Sequence, residues 1–227
     1  MSQKAAFFDI DGTLTSANVW RGLMDYFAVR GERRLTHLAF LLMHYPLALL
    51  RPVGLIREAT FRRLWGGHLP WYFRGYDATQ MEALAHWVAY DYTARATRLN
   101  ILELLRGHLA AGDVVVLVTG APAEIGRKIG ALWGVEHVIG SPAEMRLGRY
   151  TGRLAGPPCI DDQKAIYVRQ YCGERGLDID FSGSHAYADS YSDLGLFHLA
   201  GHPVAVYPDR QLAEHAARYG WRIIQGD

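Results

Sequence analysis

The sequence is poor in cysteine, and this limits the kinds of site that it can build. Its 227 residues include two cysteines, Cys159 and Cys172, with no CxxC pair or Cys/His pattern around them. Such scarcity argues against a zinc site or a disulfide framework, and it favours a reducing, cytoplasmic location. The first residues, 1–4, run into a short apolar segment and an acid, which does not fit a signal peptide.

An excess of charge of either sign is also lacking. The chain carries 24 basic and 23 acidic residues, for a formal net charge of +1. A balance this even provides no basic surface for nucleic acid and no polybasic tail for anionic lipid. We therefore expect no nucleic-acid partner, and we expect anion binding only where a few side chains converge.

Long apolar runs are scarce, and the segment 35–50 is the main exception. It contains His37, His44 and Pro46, whereas a membrane-spanning helix needs about 20 uninterrupted apolar residues. We interpret the segment as a buried helical hairpin that bends at Pro46. Contact of this segment with a membrane surface or a lipid-like substrate stays open as the alternative.

Short apolar runs alternate with helical patterns along the chain. Buried strands are predicted over 4–10, 113–119, 185–188 and 203–207. Helices are predicted over 19–29, 34–50, 54–65, 78–94, 98–111, 122–133, 163–172 and 210–219. This alternation predicts an α/β fold with a Rossmann-like parallel sheet and helices on both faces. Since 16–95 holds helices and no convincing strand, we expect a core of 1–15 and 96–227 interrupted by a helical insert.

The run Asp9-Ile10-Asp11-Gly12-Thr13 ends the first predicted strand. Ligands of open parallel sheets bind beyond the carboxyl ends of the strands, and Gly12 permits a tight backbone approach there. Two carboxylates at this spacing can converge on one divalent cation, or divide the roles of nucleophile and acid/base. A solvated Asx turn is the alternative interpretation of an isolated acid pair.

Other polar groups follow later predicted elements. Thr119 and Gly120 end the valine-rich strand, where a hydroxyl and free amides can hold phosphate oxygens; a simple turn is the alternative. Lys164 begins a helix, where an ammonium can neutralise the repulsion between a carboxylate nucleophile and a phosphate. An exposed lysine beside two acids is the other interpretation.

The segment from Asp189 to Asp193 follows a further apolar strand. Carboxylate oxygens at that edge suit Mg²⁺, which keeps several waters. Helix capping by Asp189 or Ser190 is compatible with this role.

In the helical insert, Arg62 and Arg63 can contact a second anionic group, although surface ion pairing is the favoured interpretation. His198 and His202 have metal-ligand spacing, but Gly201 intervenes and no third ligand is apparent.

Four motifs follow one another along the chain: the acid pair at Asp9 and Asp11, Thr119 with Gly120, Lys164, and the segment from Asp189 to Asp193. In this order, they together resemble the motifs of the haloacid dehalogenase-like hydrolase superfamily. The second motif has Thr119 where Ser is commoner, and the fourth has Ala188 where many members have Gly. The helical insert resembles the C1 cap of the phosphoserine-phosphatase-like branch, subfamily IB, and so does the tail 201–209. Many members of that branch have Asn where Tyr207 stands. The glycine-rich, Glu-containing cap features of phosphoserine phosphatases are not evident, so the resemblance does not extend to that substrate.

The resemblance implies a Mg²⁺-dependent phosphomonoester hydrolase that acts on a small phosphorylated metabolite. Asp9 would attack phosphorus and carry an aspartyl-phosphate, and Asp11 would serve as general acid and base. Transfer of the phosphoryl group to an acceptor alcohol, and a noncatalytic binding protein, are the alternatives. The other implied site residues are Thr119, Gly120 and Lys164 for phosphate, Asp9, the Asp11 backbone carbonyl and Asp189 for the metal, and Asp193 and Ser190 in support.

Overall fold

The computed structural model describes residues 2–226, and within them six parallel strands form one sheet. A separate antiparallel pair completes the strands of these residues. In chain order the strands are β1 (Ala5–Phe8), β2 (Val114–Pro122), β3 (His137–Ser141), β4 (Ala143–Arg146), β5 (Arg149–Leu154), β6 (His185–Ala188), β7 (His202–Val206) and β8 (Arg222–Ile224). The order across the large sheet is β3-β2-β1-β6-β7-β8, and β4 pairs with β5.

The first strand lies at the centre of the sheet because both of its faces are apolar. Phe8 belongs to one hydrophobic core and Phe7 to the other, since successive side chains of a strand point to opposite faces. Full burial of each ring contributes about 1.5–3 kcal/mol. The predicted α/β fold with a parallel sheet is confirmed.

Helices cover both faces of the sheet. Ile101 and Ile125 bring two helices into the core that contains Phe8, and Val168 and Leu212 bring two others into the opposite core. In chain order the helices are α1 (Val19–Arg30), α2 (Arg34–Leu50), α3 (Glu58–His68), α4 (Ala78–His86), α5 (Leu99–Ala110), α6 (Ala123–Trp133), α7 (Gln163–Glu174), α8 (Leu194–Phe197) and α9 (Arg210–Tyr219).

The helices α1 to α4 all lie between β1 and β2 and form a helical insert. Its core is aromatic, and Phe27, Phe40 and Tyr72 are buried together there. A capping box in which Asp77 and Gln80 each bond the other's backbone amide starts α4. After α4 the chain continues through π-helical and 3₁₀ turns to Ala96, so the predicted helix 78–94 is regular only in its first half.

The predicted buried hairpin over 35–50 is wrong. The structure has one helix, α2, with Pro46 inside it, and the buried residues of this helix are Phe40 and His44. Proline removes the backbone donor that would bond the carbonyl of Leu42. Because Leu42 is exposed, water can satisfy that carbonyl instead, and the helix continues to Leu50.

The strands β3, β4, β5 and β8 were not among those predicted. The turn between β4 and β5 is formed by Leu147 and Gly148, which have φ angles of 49° and 74°. Hairpin turns of this conformation usually carry Asn or Gly at the first position, so leucine hides the signal. Within residues 2–226, no helix combines the length and the apolar character that crossing a membrane requires.

Candidate active site

The loop after β1 carries Asp9 to the carboxyl edge of the sheet. The Asp9 amide donates to the carbonyl of Tyr187 at 2.9 Å, so this residue is tied to the neighbouring strand β6. Since β1 and β6 are parallel neighbours, Asp9 and Asp189 leave the sheet side by side. The Thr13 hydroxyl lies 3.2 Å from Asp9 Oδ2 and 3.4 Å from Asp189 Oδ1 and donates towards both.

A glycine is required between these two loops. Gly12 has a φ of 80°, a left-handed conformation that other residues adopt at a cost. A Cβ atom at this position would collide with the carboxylate of Asp189. Gly12 therefore allows the loop that carries Asp9 to pass directly beside Asp189.

Lys164, in the first turn of α7, connects two of the acids. Its Nζ lies 2.6 Å from Asp9 Oδ1 and 2.8 Å from Asp193 Oδ1, and all three side chains are buried. Burial by itself lowers the pKa of the Lys164 ammonium, but the charges of Asp193 and Asp9 outweigh it and hold the pKa above its usual value. The site therefore keeps a fixed positive charge beside Asp9.

Asp11 is bonded to the start of the helical insert. Its Oδ1 accepts a hydrogen bond of 2.6 Å from the amide of Val19, the first residue of α1, which is one of the amides that a helix leaves unpaired. Burial, followed by the charge of Asp9, raises the pKa of Asp11 to about 7. A carboxyl group of this kind can hold a proton near neutral pH and release it.

Three carboxylates form a group that could hold a metal ion. One oxygen from each of Asp9, Asp189 and Asp193 lies within 4.8 Å of the others. Burial, and then the charges of Asp9 and Asp193, raise the pKa of Asp189 to about 8. Burial raises the pKa of Asp9 to about 6, against the lowering effect of Lys164. A hard divalent cation such as Mg²⁺ fits this donor set and would relieve the repulsion.

Asp193, which was predicted to support the metal site, belongs to this group of carboxylates. The predicted ligand from Asp11 is its backbone carbonyl, and its side chain accepts a bond from the Val19 amide. Ser190 also has a bracing role, because its hydroxyl donates to Asp209 Oδ2 at 3.0 Å. Sequence reasoning missed Asp209, whose only sequence signal is its place before a helix as a capping residue.

The end of β2 forms a further part of the site. Thr119 is buried and its hydroxyl accepts a hydrogen bond from the amide of Ala121 at 3.1 Å. Gly120 lines the cavity described below, together with Lys164. The Gly120 carbonyl accepts a bond of 2.7 Å from the hydroxyl of Ser141 on β3. Sequence reasoning missed Ser141, which joins the neighbouring strand to this loop.

A cavity of about 550 Å³ lies between the carboxyl edge of the sheet and the helical insert. The side chains of Asp9, Asp11, Lys164, Asp189 and Asp193 line it from the core. The insert contributes mainly aromatic and aliphatic side chains. These are Trp20, Tyr45, Ala48, Phe61, Trp65 and Leu69.

The arginines of the insert reach the core. Arg62 Nη2 lies 2.7 Å from Asp161 Oδ1, and Arg63 Nε lies 3.8 Å from Asp161 Oδ2. Ion pairing was the favoured interpretation of both residues.

The two histidines with metal-ligand spacing pack against different neighbours. His198 packs near Trp221, while His202 stacks on His185. Within residues 2–226, no group suited to a metal includes either of them.

A parallel sheet whose carboxyl edge gathers acids and a buried lysine beneath a helical insert is typical of an α/β enzyme. The chain belongs to the haloacid dehalogenase-like hydrolase family, which its residues 6–198 match. It lies in the phosphoserine-phosphatase-like branch of this family and is a phosphatase.

One curated relative and two solved structures illustrate what the chain is similar to. The chain is 32% identical over 225 residues to phosphoserine phosphatase SerB1 of Mycobacterium tuberculosis, and the match covers 96% of this chain and 70% of the relative. A protein of unknown function from Bordetella pertussis Tohama I has a TM-score of 0.82 with 26% identity, and 99% of each chain is covered. A phosphoserine phosphatase solved as a phospho-aspartyl intermediate analogue shares the fold, with a TM-score of 0.62, 17% identity and coverage of 100% of this chain and 95% of that one.

Proposed function

We propose that this phosphatase is a Mg²⁺-dependent phosphomonoester hydrolase that works through an aspartyl-phosphate on Asp9. The observation that carries the proposal is the 2.6 Å contact of Lys164 Nζ with Asp9 Oδ1 inside a group of buried acids. A buried ammonium at this point lowers the repulsion that a phosphate dianion meets when it approaches a carboxylate. Attack of Asp9 on phosphorus forms the acyl phosphate and breaks the bond to the leaving alcohol.

Asp11 is the proposed acid and base. Its pKa, raised to about 7 by burial and by the charge of Asp9, suits proton transfer in both directions near neutral pH. Asp11 would give its proton to the leaving alkoxide in the first step. It would then take a proton from the water that hydrolyses the aspartyl-phosphate in the second step.

Lys164, Gly120 and Thr119 are the proposed phosphate-binding residues. Lys164 and the backbone of Gly120 line the cavity and can reach nonbridging oxygens, which carry the charge of the transition state. The Thr119 hydroxyl would donate to a further oxygen while it accepts from the Ala121 amide, a bond that holds the end of β2 in place.

Asp9, Asp189 and the backbone carbonyl of Asp11 are the proposed ligands of Mg²⁺, and Asp193 would support them. The ion would supply positive charge to the nonbridging oxygens. Burial and the charges of neighbouring carboxylates raise the pKa of both Asp9 and Asp189, which supports a cation at this group of acids. Ser190 would brace the loop that carries Asp189.

We also propose the division into a core, 1–15 and 96–227, and a cap, 16–95, of which residues 1 and 227 lie outside the described part. The insert closes one side of the cavity, so a cap there would exclude bulk water and contact the leaving group. Two free, buried cysteines, Cys159 and Cys172, are compatible with the proposed cytoplasmic location.

The test is hydrolysis of p-nitrophenyl phosphate by purified protein, with Mg²⁺ or with EDTA. We expect Mg²⁺-dependent release of phosphate, and Asp9→Asn should reduce kcat by a factor on the order of 10⁴ or more while the circular dichroism spectrum is unchanged. Asp25→Asn, at an exposed position of α1, is the matched control and should keep wild-type activity. Wild-type turnover by Asp9→Asn would contradict the nucleophile assignment. Phosphate found on added glycerol in place of free phosphate would indicate a phosphotransferase.

A further inference from the structure

The two walls of the cavity have different chemistry. The core wall holds the acids and Lys164, whereas the insert presents rings and aliphatic groups. Trp20 and Trp65 meet edge to face with ring centroids 5.1 Å apart, and Phe61 and Trp65 are 5.7 Å apart. Because these rings pack against one another, the apolar wall is formed before any ligand arrives.

The arginines of this wall are already paired. Arg51 Nε donates to Glu58 Oε2 at 2.7 Å, and Arg62 Nη2 lies 2.7 Å from Asp161 Oδ1. A substrate with a second anionic group, such as an amino-acid carboxylate, would have to share an arginine whose charge a carboxylate of the protein already compensates. The wall therefore offers apolar contact to the leaving group more readily than it offers charge.

We infer, on the basis of the proposed function, that the substrate is a phosphate monoester of an apolar alcohol. Its phosphate would lie at Asp9 and Lys164, and its alkyl or aryl body would lie against Trp65, Phe61 and Leu69. A molecule with an anionic end and an apolar body fits a cavity whose core wall is charged and whose insert wall is apolar.

A series of n-alkyl phosphates from ethyl to octyl, used as monomers below micelle formation, tests this inference. We expect kcat/KM to rise by up to about fourfold for each methylene group that becomes buried, and to exceed the value for phosphoserine. Trp65→Ala should flatten the dependence on chain length, and Trp65→Leu, which keeps an apolar side chain, should restore most of it.

Each outcome separates this inference from the proposed function. Mg²⁺-dependent hydrolysis with no dependence on chain length, or with a preference for phosphoserine, would overturn the inference and leave the phosphatase chemistry intact. If no ester is hydrolysed, the proposed function fails. Calorimetric binding of octyl and ethyl phosphate to the Asp9→Asn protein then decides the inference, which requires tighter binding of octyl phosphate.

A second observation concerns the outward face of α2. Surface helices usually turn polar residues to solvent, but here five apolar side chains at i, i+3, i+7, i+10 and i+14 form a continuous stripe that is 52–83% exposed. An exposed apolar patch of this kind marks a site of interaction. The leucine stripe consists of Leu35, Leu38, Leu42, Tyr45 and Leu49.

The charges around the leucine stripe identify its partner. Four arginines and no acid occur within residues 33–57, with Glu32 and Glu58 just outside. Glu58 is already paired with Arg51, and Arg34 and Arg57 are exposed at the two ends. A second copy of the chain packed on the stripe about a twofold axis would bring arginines of the two copies together without a compensating acid from this segment. Arginines that flank an apolar centre are instead complementary to anionic headgroups over acyl chains.

We propose that α2 docks on an anionic lipid surface. Tyr45 belongs to the leucine stripe and also lines the cavity, so the mouth of the cavity would open beside that surface. Docking depends on the stripe and its arginines, whatever substrate the cavity takes.

Co-sedimentation of the full chain with vesicles tests the docking. Binding should occur with phosphatidylcholine vesicles that contain phosphatidylglycerol, should be much weaker with phosphatidylcholine alone, and should fall in about 0.5 M salt. The double change Leu38→Ser with Leu42→Ser should weaken binding by about tenfold or more. The matched control, Leu147→Ser with Ile166→Ser, changes exposed apolar residues away from α2 and should bind like the wild type.

Two results would overturn this second proposal. One is wild-type protein that stays in the supernatant with both kinds of vesicle. The other is a dimer in sedimentation velocity that Leu38→Ser with Leu42→Ser converts to monomer, because a second copy would then cover the leucine stripe.

Discussion

The carboxyl edge of the sheet buries charged side chains, whereas the helical insert exposes apolar ones. At the sheet edge, Asp9, Lys164 and Asp193 are buried charges that bond to one another. On the insert, Leu35 and Leu42 are apolar and exposed to solvent. Buried charge gives fixed geometry and shifted pKa values, whereas exposed apolar surface gives affinity for a partner that is not part of the chain. We therefore expect the sheet edge to carry out the reaction and the helical insert to select what the protein binds.

After Asp9→Asn, the largest effect should come from Asp11→Asn on the core side. We expect kcat for an alkyl phosphate to fall by about 10²–10⁴-fold, because an alkoxide needs a proton as it leaves. The loss should be smaller with p-nitrophenyl phosphate, whose phenolate leaves without one. Since burial raises the pKa of Asp11 to about 7, the wild-type rate on alkyl phosphates should decline as pH rises through that value. Equal losses on both esters would contradict the acid role.

Lys164→Met measures how strongly the buried charges depend on one another. Loss of the ammonium leaves Asp9 and Asp193 as uncompensated carboxylates, so we expect the free energy of unfolding to fall by about 3–5 kcal/mol in urea titrations. The loss should shrink in mild acid, where Asp9, whose pKa burial raises to about 6, gains a proton. Lys4→Met, at an exposed position, should change stability little. A comparable loss for both variants would show that burial of charge is not the cause.

Asp189→Asn tests the cost of crowding acids. Burial, and then the charges of Asp9 and Asp193, raise the pKa of Asp189 to about 8 from 3.8. The folded state therefore binds this proton more tightly than the unfolded state, and the metal-free protein should lose stability as pH rises towards about 8.

In EDTA at about pH 8, we expect the amide to raise Tm by roughly 4 °C, or about 2 kcal/mol. The gain should diminish at about pH 6. In scanning fluorimetry, the variant should also lose the increase in Tm that Mg²⁺ gives the wild type. A lower Tm for Asp189→Asn in EDTA would refute this account.

Arg62→Met should have the smallest effect, because its ion pair with Asp161 joins the two regions at a partly exposed place. The Arg62 side chain is 33% exposed, and ion pairs of this kind contribute about 1 kcal/mol or less. A double-mutant cycle with Asp161→Asn in urea measures the coupling. A coupling energy well above about 1 kcal/mol would mean that this ion pair holds the insert and the core together more strongly than its exposure indicates.

The part of the site that could be predicted is the part that follows from strand ends. Asp9, Gly120 and Asp189 each come directly after an apolar run, and parallel strands bring such ends to one edge. The link between Lys164 and Asp193 depends on how α7 packs, which no local pattern specifies. The turn of Asp11 towards Val19 depends in the same way on where α1 begins.

The rest of the fold escaped prediction for physical reasons. The β4–β5 hairpin turns at Leu147, a residue that seldom adopts positive φ. The edge strand β8 has three residues, too few for a pattern. For α2, an apolar sequence predicts burial, but it does not show whether the residues that bury its side chains belong to the same chain. Leu38 and Leu42 are exposed because nothing in residues 2–226 packs over them.

The position of β1 affects how the chain is made. This strand pairs with β2 on one side and with β6 on the other, yet β6 begins at His185. At about 5–20 residues per second, a ribosome needs roughly 10–40 s to supply that partner. During this time an apolar strand with an open edge is exposed to other nascent chains. Transient cover of this edge, such as a chaperone provides, would protect the chain until the second half of its sheet has been synthesised.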